Sequence, residues 1–523
     1  MSRLRKIAIA AMLALVAGSG TAVNAQQPAA VTTITVGLQD VAQGLSPLAP
    51  GNVRNATSII RSLYSSLVNV DPSDTIVGDL ATSWEIVDPT HWKFTLRPDV
   101  KFSDGSPLDA HTVVWNFTTY LVPGGPYAPT AGAGNLKVVA SAEALDDHTV
   151  VLTLTRPEGN LISLLTTFYI RSPAFIEGGH DDTREALGSG PYQLVSFDSQ
   201  TQTVTKANPL FYGKKPEIEN VIWKYYPDDA SRLAAVQSGD ADVVIYLNPQ
   251  NVQALKNSSE YNVGGIPTNR NAALAISTTS TTNPALHDLN VRQALNYGID
   301  KSQLTDGVFF GAAEQLHGSL FSTSTYGIEN PSLNPYAFDP AKAAELLAAS
   351  GYTVDKPAEV TLQYIPGRYV AVDLVAQNVA DQYNKIPGLK VTIQTITLQK
   401  EIAGLKDFSL GVEIGSWSFS NGGWRSELGL WANTFSQNRW IGPRNDEYTA
   451  LLVKLAGVTD PQQAQDIFNE ATRLANEEAV IVPLYSQPLT YAVRKTIDIP
   501  LSRSEWLLPQ LAKAGTGQIT FTP

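Results

Sequence analysis

Three tryptophans stand seven residues apart in GSWSFSNGGWRSELGLW (415–431): Trp417, Trp424 and Trp431. That spacing suits one face of a helix, yet Gly415, Gly422, Gly423 and Gly429 fall in the same run. Each glycine inside a helix costs about 1 kcal/mol relative to alanine, so a continuous helix is disfavoured there. The rings then suit the lining of a pocket, where polar solutes with sugar-like faces stack on indoles. A second candidate is Arg368, the last residue of LQYIPGR, at the turn from a strand into the helix VAVDLVAQNVADQYN. A guanidinium makes two parallel charge-assisted bonds to a carboxylate. The alternatives for Arg368 are a solvated surface position or a pair with a nearby acid such as Asp373.

Bond-breaking chemistry is poorly represented. The chain has no Gly-x-Ser-x-Gly elbow, no Walker loop, no His-Glu-x-x-His helix, and no serine three residues before a lysine. His91, His111, His148, His180, His287 and His317 are scattered without metal-ligand spacing, and cysteine is absent. No metal cage or cofactor is therefore expected. Asp146-Asp147 and Asp228-Asp229 read as turn residues rather than an acid–base pair.

The elements that must position these residues alternate between strand and helix. HWKFTLRPDVKF places Trp92, Phe94 and Leu96 on one strand face, and a Ser-Asp-Gly-Ser turn at 103–106 follows. DAHTVVWNFTTYL reads as a helix with Asp109 near its start, and VVLTLTRP as a strand stopped by Pro157. DASRLAAVQSGDADVVIYL reads as a helix closed by Gly239, then a strand. In FDPAKAAELLAASGY, Asp339 is the expected N-cap, Pro340 the first helical residue and Gly351 the stop. LKVTIQTI (strand), EIAGLK (helix) and FSLGVEIG (strand) lead directly into the tryptophans. The alternation predicts α/β units on largely parallel strands, whose carboxyl ends collect ligands.

Arg3, Arg5 and Lys6 precede the apolar run IAIAAMLALVAG and small residues up to Ala25, the order of a cleaved signal peptide over residues 1–25. Without cysteine there is no lipid attachment point after the signal and no disulfide. A soluble exported protein is expected, most simply periplasmic. Cleavage would move the net charge from −12 to −15, a sign that repels nucleic acid and anionic membrane surfaces. So long a chain exceeds one hydrophobic core and predicts two or three domains.

Several blocks together resemble the family 5 solute-binding receptors of ABC importers, the peptide, nickel and opine receptors of structural cluster C. They are LATSWEIVDPTHWKFTLRPDVKFSDGSPLDAHTVVWNF, GSGPYQLVSF (Ser189 in place of the family's threonine), NPLFYGKKPEIENVIWKYYPDDASRLAAVQSGDADVV, NVRQALNYGIDKSQL and FDPAKAAELLAASGY. The resemblance implies a two-lobed periplasmic binding protein type II fold, α/β, with an extra domain. Its lobes would be 31–75, 187–282 and 485–523 for the first, and 283–484 for the second, with the extra domain over 76–186. In peptide-binding relatives the corresponding strand end reads Gly-Trp followed shortly by an aspartate that holds the peptide ammonium. Trp417 matches that tryptophan, but the aspartate's place falls on Ser420 or Asn421, and a neutral group cannot balance a buried ammonium. An arginine near the turn of Arg368 holds the ligand carboxylate in dipeptide-binding relatives, with local spacing a residue or two different from that here.

Two function classes follow. One is a monomeric receptor that presents a small solute to an inner-membrane ABC permease, without catalysis; the other is a secreted hydrolase with an aromatic carbohydrate cleft, which would need paired carboxylates. The missing catalytic motifs and the departure at Ser420 and Asn421 favour a receptor for an opine-like sugar–amino acid conjugate bearing a carboxylate, with an oligopeptide or dipeptide receptor as the alternative. The expected ligand contacts are Arg368, Trp417, Ser420, Asn421, Trp424 and Tyr485.

Overall fold

The computed structural model describes residues 31–39, 42–47, 54–121, 136–321, 330–418 and 445–520. Ten strands of the main sheet lie side by side in the order Leu389–Thr395, Ala358–Tyr364, Val412–Ser418, Tyr261–Ile276, Ile481–Arg494, Val243–Ile245, Thr33–Leu38, Asn220–Tyr225, Gln202–Ala207 and Tyr192–Asp198. Each half has a parallel centre: Ala358–Tyr364 runs parallel to both Leu389–Thr395 and Val412–Ser418, and Thr33–Leu38 to both Asn220–Tyr225 and Val243–Ile245. Helices carry the returns that parallel strands require. The expected α/β alternation is present. Asp339 caps helix Pro340–Ala349 by accepting from the Lys342 N–H at 2.8 Å. Helix Asp229–Ser238 ends at Gly239, whose φ of 74° suits glycine.

Two long antiparallel strands, Tyr261–Ile276 and Ile481–Arg494, join the halves. They pair with each other along most of their length, and each also borders one half: Tyr261–Ile276 pairs with Val412–Ser418, Ile481–Arg494 with Val243–Ile245. Their ladder is irregular twice: Leu484 bulges between the pairs Ala272–Tyr485 and Ala273–Pro483, and a wider break lies near the middle. Pro267 faces Pro488 and Asn271 faces Ser486, so Thr268, Asn269 and Arg270 stand opposite Gln487 alone.

A separate antiparallel sheet has the order Ala81–Asp88, His91–Leu96, Thr149–Leu154, Val139–Asp146. Its inward residues Trp92, Phe94, Leu96, Val150, Leu152 and Leu154 are buried with Val113 and Phe117 of helix Ala110–Leu121. Asp109 accepts from the Thr112 N–H at 2.8 Å at the start of that helix. This cluster is distinct from the largest core, which runs beneath both halves of the main sheet. The unit also reaches the far half: the Gly159 N–H donates to the Ala456 carbonyl at 3.0 Å, where helix Asn445–Gly457 ends.

Candidate functional site

Strand Ala358–Tyr364 ends beside the start of Val412–Ser418, Leu362 facing Val412 and Gln363 facing Glu413, and helix Leu398–Asp407 sends Glu401 to the loop that leaves the first strand. Arg368 stands in the loop after the first strand, where its N–H closes a turn on Ile365 O at 3.3 Å. Its guanidinium pairs through Nη1 with Glu401 of the helix, and the arginine side chain is 34% exposed against 14% for the glutamate. Asp373, the nearer acid in sequence, instead accepts from the Tyr364 hydroxyl at 2.9 Å. Glu413 completes the charged group from the second strand. Burial pushes its carboxyl well above the usual carboxylate range, and the charge and hydrogen bond of Glu401 push it further, while Arg368 pulls the other way. Burial and the neighbouring Glu401 thus both favour the neutral form of the Glu413 carboxyl.

Trp417 lies on Val412–Ser418, opposite Asn271 of the crossing strand. It is half-buried and packs against the cluster that holds Ile396, Leu410 and, partly buried beside it, Ile365 and Leu405. The ring folds back over Gly415: a Cβ there would overlap the indole, so glycine is needed for close approach rather than for its dihedrals. Tyr369, next to Arg368, donates to the Ser416 carbonyl at 3.3 Å, and the guanidinium lies 5.5 Å from its ring centroid. Tyr485, on the second crossing strand, is buried with its ring 4.6 Å from that of Phe309. Burial raises its hydroxyl pKa above the usual tyrosine value, helped by Tyr369 nearby. Ser420, Asn421, Trp424 and Trp431 lie outside the described residues.

Sequence reasoning missed a polar set at the crossing. Arg270 Nε donates to Glu505 Oε2 at 2.7 Å, both side chains being nearly inaccessible. Asp74 sits at φ 61° and accepts from Asn269 Nδ2 at 2.9 Å and from the hydroxyls of Ser502 and Ser504. Burial raises the Asp74 carboxyl pKa, against those hydrogen bonds and the charge of Arg503, which lower it. Gln487 is fully buried. The available signal was polar residues inside otherwise apolar strands: Thr268-Asn269-Arg270-Asn271 in one crossing strand, Ser486-Gln487 in the other. Gln39 Nε2 donates to the Gly367 carbonyl at 3.4 Å, joining the ends of Thr33–Leu38 and Ala358–Tyr364 across the two halves. Histidines serve locally: His91 contacts Asp88 at 2.8 Å, and His287 contacts the Ser280 carbonyl at 2.9 Å.

The described part of the region brings partly exposed aromatic side chains, Trp417 and Tyr369, near a partly exposed cation, Arg368. Residues 75–439 match the model of the bacterial extracellular solute-binding proteins, family 5. The probable D,D-dipeptide-binding periplasmic protein DdpA of Escherichia coli K12 is 28% identical over 443 residues, which is 81% of this chain and 82% of that one. Among solved structures, NikA from Brucella suis in complex with Fe(III)-EDTA superposes with a TM-score of 0.82 at 24% identity, over 92% of this chain and all of that one. AgaA of A. tumefaciens R10 in complex with agropinic acid gives 0.71 at 20% identity, over 91% of this chain and 96% of that one. Likeness at these identities establishes the two-lobed fold.

Proposed function

The chain belongs to the bacterial extracellular solute-binding proteins of family 5 and is a substrate-binding receptor of ABC importers, and from that premise we propose that it takes an opine-like sugar–amino acid conjugate bearing a carboxylate. In this reading it works in the periplasm as a monomer and hands the solute to an inner-membrane permease. The single observation that carries the solute class is the placement of Arg368 in the loop that leaves strand Ala358–Tyr364, with a third of its side chain accessible. A guanidinium matches a carboxylate through two parallel charge-assisted bonds. Trp417 beside it offers a face for a sugar-like ring. The lobe boundaries expected above belong to the proposal, supported by the separate core of the four-stranded unit within 76–186. A hydrolase is disfavoured because glycosidase carboxyls stand about 5–9.5 Å apart, whereas Glu401 and Glu413 bond to each other.

The dipeptide reading has its own support in the DdpA relative. Calorimetry with agropinic acid and with alanyl-alanine separates the two. Wild type is expected to bind the opine acid and to take the dipeptide only weakly. Arg368→Ala and Arg368→Lys should both weaken agropinic acid about 10- to 100-fold, since a point charge loses the forked geometry. Unchanged affinity in Arg368→Ala would remove the carboxylate anchor. Dipeptide affinity of about 1 μM, near −8 kcal/mol, would favour the peptide reading.

A further inference from the structure

We propose that Gln487 is a ligand-contacting residue whose side-chain amide, at the break between the two crossing strands, takes a neutral hydrogen-bonding group of the solute. The inference rests on the receptor reading above. Gln487 is 0% exposed, yet neither its Oε1 nor its Nε2 has a hydrogen-bond partner among the described residues. A primary amide brings two N–H donors and an acceptor oxygen, and buried polar groups are rarely left without partners. Main-chain groups around it are bonded. The Gln487 carbonyl accepts from Thr268 Oγ1 at 2.7 Å, the Thr268 carbonyl from the Ser486 hydroxyl, and the Asn269 N–H bonds Arg503 O at 2.8 Å.

Two further facts give the unpaired amide a direction. Residues two apart on a strand share a face, so Gln487 lies on the face of Tyr485, whose neighbour in the paired strand, Ala272, pairs in turn with Ser416, the residue whose carbonyl accepts from Tyr369 beside Arg368. The side-chain oxygen of Asn269, across the break, is also buried without a partner. Donor and acceptor capacity together suit an amide or a hydroxyl group. A carboxylate would use only the donors and an ammonium only the oxygens. The solute would thus span from a charged end at Arg368 to a neutral polar group at the crossing.

The test compares wild type, Gln487→Met and Arg368→Ala by calorimetry with agropinic acid and alanyl-alanine, and by thermal unfolding without solute. Methionine keeps the length of the side chain and removes the amide. Gln487→Met should weaken by at least tenfold whichever probe the wild type takes, with a solute-free Tm no lower than wild type. Affinity within twofold of wild type would overturn the inference. A lower Tm would overturn it too, by showing that the amide is already satisfied within the fold. Loss in Gln487→Met with none in Arg368→Ala supports Gln487 and removes the carboxylate anchor; the reverse keeps the anchor and removes Gln487. If wild type takes neither probe, the solute reading falls and the thermal comparison decides for Gln487.

Discussion

Along His91–Leu96, Trp92, Phe94 and Leu96 are buried while Thr95 is exposed and His91 and Lys93 are half-buried; along Ile481–Arg494, every residue from Ile481 to Thr490 is buried. The first strand has a dry face and an open one, where His91 and Lys93 pair with Asp88 and Glu85 in reach of water. The second has no wet face. Each of its polar groups must be answered by another part of the chain or by a solute. Strand structure thus serves two ends: in the four-stranded unit it makes a core, and at the crossing it makes a demand for partners. Polar residues are bland in one setting and informative in the other.

The contrast is broken most severely by opening the four-stranded core. Phe94→Ala should cost about 3–5 kcal/mol, the usual cost of truncating a buried phenylalanine, read from urea unfolding. Solute affinity measured well below the unfolding midpoint should not change; if it falls with stability, the two regions are not separable.

Lys301 sharpens the other side. Its Nζ is buried and donates to the Leu316 carbonyl at 2.7 Å, and the Leu316 N–H bonds Leu484 on the second crossing strand. Burial lowers its pKa from 10.5 to about 8. The unfolded chain then binds the proton more tightly than the folded one between those values, so this residue weakens the fold below pH 8 and ceases to do so as pH rises to 10.5. Lys301→Met should therefore add up to about 3 kcal/mol at pH 7, a gain that falls away between pH 8 and 10.5. Parallel urea titrations of both proteins at pH 7 and pH 10 check it, and a pH-independent difference would contradict the assignment.

The smallest effect is expected at the strand end. Trp417→Ala should weaken solute binding by about 1–3 kcal/mol, the value of covering an aromatic surface. If affinity holds and only stability drops, Trp417 belongs with the core it packs against.

Where alternation or capping is local, the sequence was sufficient. Trp92, Phe94 and Leu96 marked their strand, Asp339 and Gly239 marked helix ends, and Glu413 fell inside a strand as read, although that strand runs on through Trp417 instead of ending before it. The partner of Arg368 was not legible, because adjacency across parallel strand ends is unrelated to adjacency in the chain: Glu401 is 33 positions away on a helix, while Asp373 is turned to Tyr364. The crossing strands were missed because strands buried on both faces lack the period-2 signal. Ser420, Asn421 and Trp424, half of the expected contacts, lie outside the described residues.

The broken ladder at Thr268–Arg270 also has a mechanical meaning. A sheet that continued unbroken from one half to the other would resist torsion with its whole row of amide bonds. Here the stretch between Pro267 and Asn271 is bridged by hydroxyl oxygens, those of Thr268 and Ser486, which can swivel about single bonds while keeping their contacts. Twist between the halves can therefore concentrate in about four residues, like a thin section filed into a stiff rod. Gln487 stands at that thin section, where a molecule bound to it would be felt as stiffness by both halves at once.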